Sequence, residues 1–235
     1  FGVPVFRESG DSVLLVDVNV SARVDDNGRY SDEQPTSASS LRFQLLQQDG
    51  EWRIAAAPNL TVVTAPVFSV VFNAFPVYFV DSRKNALVPD LRWFPSRAST
   101  PTKLVNALLA GPTPWLDRGV TTAIPEGTRL TINAVSIENG VARVDFDANA
   151  LAADNLDRQI MLSQLRSTLL QISGINEVAL SVNNSVQEIE PSTLQGRSTL
   201  GATFVLDDEG VKRLNAVDSI PLSGTEAVVR NSEPT

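Results

Sequence analysis

The chain has 235 residues, 43% of them hydrophobic, with 19 basic and 27 acidic side chains and a formal net charge of −8. That is enough apolar material for one or two packed domains, and the acidic balance without any basic block argues against a nucleic-acid partner. Cysteine and histidine are absent, which removes disulfides, thiolate chemistry, imidazole bases and the usual zinc ligands.

The chain opens on Phe1-Gly2-Val3-Pro4 with no initiator Met and no basic n-region, and reads as a segment of something longer. Val13 to Val20 ends in an apolar/polar alternation that predicts a strand. The Ser-, Asp- and Asn-rich stretch Asp25–Ser40 reads as a long connection. Leu41–Leu45 and Trp52–Ile54 alternate around Asp49-Gly50, a strong hairpin signal. A few strands without a helix do not make an independent core. Residues 1–60 are therefore read as the carboxy-terminal part of a domain, or as an extension lying on its neighbour.

Residues 66–191 read as a complete α+β unit: two layers, a mixed or antiparallel sheet and two main helices. Its richest apolar run, Ala65 to Val80, is interrupted by Pro66, Asn73 and Pro76, which suits buried strands rather than a membrane span. Phe75–Val80 and Leu87–Phe94 are strands joined by the Asp81–Asn85 turn. A helix begins at Ser99-Thr100-Pro101, with Thr100 as cap, and stops at Gly111-Pro112. Leu130, Ile132 and Ala134 alternate, Asn139-Gly140 marks a tight hairpin, and Ala142, Val144 and Phe146 alternate again. A second helix runs from Asn155 to Ser173 behind an Asp154 cap, and Val178, Leu180 and Val182 return the chain to the sheet. Residues 192–235 thin out into a linker with one short hairpin around Asp207–Gly210, the entry to a further domain.

Four stretches resemble the GerMN module of spore-germination proteins and bacterial lipoproteins. These are Phe75-Pro76-Val77-Tyr78-Phe79-Val80, Pro101 to Pro112, Ile124-Pro125-Glu126-Gly127-Thr128 and Gly140 to Asp147. Their order and spacing carry the likeness, not any one of them. The chain as a whole is similar to the actinobacterial LpqB lipoprotein family, in which an NTF2-like domain precedes the GerMN module and a β-propeller follows it. Gln195–Leu200 and Phe204–Asp207 look like the lead into that propeller. The lipobox Cys and nearly all of the propeller are missing from these residues.

The resemblance implies an extracytoplasmic accessory lipoprotein that contacts the extracellular domain of a sensor histidine kinase in an MtrAB-like two-component system. It also implies a part in envelope homeostasis and cell division. The membrane would be reached only through the lipid anchor absent here, and the missing β-propeller and an envelope component are further partners. The alternative is a non-catalytic module that binds an envelope glycan or a small molecule. A third reading, hydrolysis by paired carboxylates, needs two of them flanking a cleft.

Asp145 and Asp147 flank Phe146 on one strand face. They could serve as an acid and base pair or hold a hard cation, but solvent exposure or capping of the following loop is the favoured account. No catalytic residue, metal ligand or cofactor is assigned. No P-loop or dinucleotide fingerprint occurs, and without His a Ser triad cannot be assembled. Asp207-Asp208-Glu209-Gly210 is too short for a calcium loop and reads as a solvated turn. The interface candidates are Arg92, Trp93, Phe94, Arg97 and Trp115: aromatic groups beside arginines anchor interfaces or stack on sugar rings, and otherwise seal the loop end of a core.

Overall fold

The structure is a computed structural model that describes residues 3–194, 203–207, 210–214 and 219–221. Two compact units divide the chain, Phe1–Gly196 and Arg197–Thr235.

The first unit opens with an antiparallel meander of β1 (Val5–Glu8), β2 (Val13–Val24), β3 (Tyr30–Gln48) and β4 (Glu51–Ala56), in that spatial order. Asp49 (φ 53°) and Gly50 (φ 81°) make the β3–β4 turn that their pairing predicts. The expected connection Asp25–Ser40 is corrected: only residues 25–29 turn, and the rest is the first half of β3. Its serines lack an apolar alternation of their own, but they pair with the alternating strand β2, Ser39 opposite Val18 and Ser37 opposite Val20. Arg23 adds cross-strand bonds to Glu33 Oε1 (3.0 Å) and Ser39 Oγ (2.8 Å).

Paired residues share a sheet face, so one face of the meander carries Phe6, Leu14, Val16, Val18, Leu41, Phe43, Leu45, Trp52 and Ile54. Only Val18 of these is buried; Phe6 and Ile54 are more than 60% exposed.

The remainder of this unit is α+β. The Ala65–Val80 run is not strand throughout: α1 (Ala65–Val71), capped by Thr64, precedes β5 (Phe72–Asp81). Then come β6 (Leu87–Pro95), α2 (Thr100–Leu109), β7 (Val120–Thr121), β8 (Ser136–Glu138) and β9 (Val141–Phe146). A 3-10 turn (Ala148–Ala152) leads to α3 (Asn155–Leu169), β10 (Glu177–Val182) and β11 (Ser185–Val186). There are two sheets: an antiparallel one ordered β6-β5-β7, and a mixed one ordered β11-β10-β9-β8 in which α3 is the crossover between parallel β9 and β10.

Both expected helices form, but α3 ends at Leu169, short of the expected Ser173, and one cap differs. Asp154 caps α3 by accepting from Asp157 N at 2.8 Å. Thr100 does not cap α2: its hydroxyl accepts from Arg97 N and donates to Pro95 O, both at 2.9 Å, and so ties the preceding turn. Leu130, Ile132 and Ala134 form no strand either. Only Leu130 bridges to Phe146, and Ile132 is 67% exposed. The hairpin survives with a shorter first arm, Asn139 (φ 52°) and Gly140 (φ 80°) joining β8 to β9.

Val77, Phe79, Leu104, Leu108, Val144, Phe146, Ile160 and Leu165 lie at the centre of the core. Strand β5 meets β7 only at Val80 and Asp81, so its edge is open at Pro76 and Tyr78. Side chains of and just past α3 fill that edge. Tyr78 N donates to Thr168 Oγ1 (3.0 Å), and Tyr78 O accepts from Gln164 Nε2 (2.9 Å). Pro76 O accepts from Gln171 Nε2 (2.7 Å). Pro76, which has no N–H to give, stands where no strand asks for one.

In the second unit, β12 (Thr203–Asp207), β13 (Gly210–Leu214) and β14 (Ser219–Pro221) form an antiparallel meander, so the expected short hairpin is present. Asp208, Glu209 and the 195–200 segment lie outside the described residues.

Candidate functional site

A connected polar cluster lies where the β2–β3 turn meets β6 and the end of α2. Asp25 shapes the turn: its Oδ1 accepts from Asn27 N (2.9 Å) and Arg29 N (2.8 Å), and Gly28 adopts φ +75°. The turn docks on β6 through Trp93 N to Gly28 O at 2.8 Å and Arg92 Nη1 to Asn27 O at 3.2 Å.

Arg29 Nη2 reaches the carbonyls of Ala110, Gly111 and Pro112 at 3.1–3.2 Å. Arg92 Nη2 joins them at Gly111 O (2.9 Å) and binds Asp90 Oδ2 at 2.6 Å. Two guanidinium groups thus gather on the carbonyls of the α2 C-cap residue Ala110 and of the two residues that follow it, Arg29 on all three and Arg92 on Gly111. Asp90 is committed further, accepting from Thr113 N (2.8 Å) and Thr113 Oγ1 (3.1 Å). Burial pulls the Arg92 guanidinium below its usual pKa, against the upward pull of Asp90.

This geometry sorts the five interface candidates. Arg92 and Phe94 are buried, which corrects the expectation that they face a partner: residues 90, 92 and 94 share the inward face of β6. Trp93 is half-buried in an aromatic cluster, 6.0 Å from Tyr30 and 5.3 Å from Phe68, so it seals the junction. Arg97 is exposed, and its backbone N–H is held by Thr100. Trp115 is 76% exposed. Its loop is fixed upstream by the contacts of residues 110–113 with Arg29, Arg92 and Asp90, and downstream by Val120 N to Leu116 O at 3.0 Å. A large apolar ring is therefore displayed on anchored backbone.

The paired carboxylates have other work. Asp145 Oδ1 accepts from Asn184 N (2.9 Å), and its Oδ2 accepts from Thr131 Oγ1. Partial burial pushes its pKa up, but the hydrogen bonds from Thr131, Asn184 and Ser181 outweigh this and leave it below the usual carboxylate value. Asp147 caps the 3-10 turn at Asn149 N (3.2 Å) and holds Arg129 N (3.3 Å). Asp147 thus caps the loop after its strand as expected, whereas Asp145 instead holds Thr131 and the β10–β11 turn. Among the described residues no cluster of three or more metal-ligating Asp or Glu side chains occurs, and no helix is long and apolar enough to cross a membrane.

Two adjoining clefts, of about 490 and 480 Å³, run beside the end of α2 and share Leu109, Ala110 and Thr128. The first is lined also by Glu126 and Asp157, the second by Asn106, Arg129 and Asn133. Neither is lined by Trp93 or Trp115.

Sequence reasoning passed over Gly28, Arg29 and Asp90. The signal for Asp90 and Arg92 was present, since opposite charges two apart in phase with Phe94 mark a buried pair on one strand face. Nothing local shows which helix end Arg29 reaches.

A family model described as "Lipoprotein LpqB, N-terminal domain" matches residues 3–69, and one described as "Sporulation and spore germination" matches 76–188. The chain is 30% identical over 169 residues to lipoprotein LpqB of Cutibacterium acnes, covering 71% of this chain and 28% of that protein. It is 30% identical over 207 residues to lipoprotein LpqB of Thermobifida fusca, covering 84% and 33%. It thus spans about a third or less of the length of these relatives. Among solved structures, the first GerMN domain of the sporulation protein GerM from Bacillus subtilis aligns with a TM-score of 0.41 at 21% identity, over 54% of this chain and 98% of that one. The two models follow one another along residues 3–188 in the order read from the motifs, and the chain belongs to the LpqB lipoprotein family.

Proposed function

We propose that this chain is a non-catalytic accessory module on the extracytoplasmic face of the cell membrane, tethered by a lipid anchor outside the residues present. There it binds and modulates the extracellular domain of a sensor histidine kinase of an MtrAB-like two-component system, in support of envelope homeostasis and cell division. The observation that carries the reading is Trp115: a 76% exposed indole on a loop held by a buried ion pair and by Arg29. Protein interfaces concentrate their binding energy in such anchored aromatic residues. The relatives' description as lipoproteins supports the tether, and the engagement of Asp145 and Asp147 by hydroxyl and backbone donors supports a non-catalytic role.

The reading also assigns β1–β4 to the carboxy-terminal part of an NTF2-like domain, residues 66–191 to the GerMN domain and 192–235 to the approach to a β-propeller. The uncovered apolar face of the meander supports the first assignment, since such a face belongs against another layer.

The test is calorimetric titration of the purified kinase extracellular domain with this chain, its Trp115→Ala variant and the full-length extracellular protein. The reading expects saturable binding by the chain and a loss of about tenfold or more with Trp115→Ala. Binding by the full-length protein and none by the chain would transfer the role to the segment beyond residue 235.

A further inference from the structure

The clefts beside α2 carry a pattern that the partner-binding role does not use. Glu126 lines only the first and Arg129 only the second, and between them in the chain stand Gly127, which lines the first, and Thr128, which lines both. Neither makes an ion pair among the described residues. At the acidic end Asp157 is already answered by Lys84, so Glu126 is the uncompensated carboxylate. At the other end Asn106 Nδ2 donates to Asn133 Oδ1 at 2.9 Å, so the Asn133 amide keeps its nitrogen as a donor in the lining that also holds Arg129.

The wall that holds both charges is built in advance. Thr128 Oγ1 donates to Pro125 O (2.7 Å), Asn149 Nδ2 to Gly127 O (2.9 Å) and Arg129 N to Asp147 Oδ1 (3.3 Å). Ala123 N is fixed on Gln164 Oε1 (2.9 Å), inside the core. A preformed backbone that carries two opposite, unpaired charges on exposed side chains suits a ligand that carries both signs in reverse. Three chain steps hold the α-carbons of Glu126 and Arg129 within about 11 Å of one another, so their two exposed side chains can present opposite charges to the two ends of a peptide of two or three residues.

We propose that this groove binds a short free peptide of two or three residues as its zwitterion. The terminal ammonium sits at Glu126, and the terminal carboxylate at Arg129 and the Asn133 amide. Leu109, Ala110 and Thr128 form the floor between, which takes small side chains. The site does not depend on the Trp115 surface.

Nuclear magnetic resonance titration of the whole chain with trialanine tests this, with N-acetyl-trialanine and trialanine amide as the blocked partners. Expected are saturable shifts of the Gly127, Thr128, Arg129 and Asn133 amides, and binding weaker by about tenfold for each blocked peptide. In Glu126→Gln the preference for the free amine disappears while that for the free carboxylate stays; Arg129→Gln gives the converse. Both side chains are exposed, so an unchanged amide spectrum elsewhere certifies the fold, and Trp115→Ala binds trialanine as the parent chain does. Equal binding of free and blocked peptides, shifts scattered away from the groove, or no saturation would each overturn the proposal.

Discussion

Gly28 lies so close to Phe94 that a Cβ added to it would fall 2.6 Å from the ring's Cζ. Its φ of +75° is also one that side-chain-bearing residues avoid. Shape and backbone therefore demand glycine at the point where the β2–β3 turn presses on β6.

Gly28→Ala is expected to destabilise the first unit by on the order of 2 kcal/mol or more in urea unfolding. Gly10→Ala, with φ +78° but nothing within 4 Å of the added carbon, carries the backbone cost alone, about 1 kcal/mol. Equal losses in the two variants would show that the Phe94 contact is immaterial.

Breaking the Asp90–Arg92 pair leaves one buried charge without its partner. Arg92→Met is expected to cost about 3–5 kcal/mol, with Thr113 and the carbonyl of Gly111 losing their fixed geometry. The double variant Asp90→Leu/Arg92→Met should be less damaging than the sum of the two single ones, as read by a double-mutant cycle from chemical denaturation.

Gln164 and Thr168 stand in for a strand along β5. Gln164→Leu strands Tyr78 O and Ala123 N in the core, and the expected loss is on the order of 2 kcal/mol or more. Hydrogen exchange at Ala123 should accelerate in this variant, while Asp154→Ala, which only removes a cap, should cost about 1 kcal/mol and leave that amide protected.

Asp17 receives Arg7 Nε at 2.5 Å and Nη2 at 2.8 Å. The hydrogen bond from Arg7, helped by Ser40 and by the Arg7 charge, holds its pKa at about 2. A folded-state value below the unfolded one means that the pair's contribution is complete above about pH 4 and is lost as pH falls toward 2. Carboxyl resonance titration should give Asp17 a midpoint near 2, moving up toward the ordinary value in Arg7→Gln, whose acid unfolding then loses slope in that window.

Elements whose signal lies in neighbouring residues were readable: the Asn139-Gly140 and Asp49-Gly50 turns, the Asp154 cap and the alternations of β5, β6, β9 and β10. Misreadings arose where a distant partner decides. Strand β3 is serine-rich and is recruited by β2, and Ile132 alternates correctly with its neighbours yet finds no strand to pair with. The same distinction divides the candidate site. Trp115 was visible as an aromatic residue beyond a helix stop, whereas its anchorage by Arg29 comes from a contact 81–83 residues away in sequence.

The meander is fastened to the rest of its unit by the chain that leaves β4 toward α1, by the β2–β3 turn clamped on β6 and the end of α2, and by Tyr30 of β3 packed on Trp93 and Phe68. Contacts spread in this way restrain swivelling that a single covalent link would allow. Tension on the meander would therefore arrive at the carbonyls of residues 110–112, next to the loop that displays Trp115, instead of being lost in a slack linker.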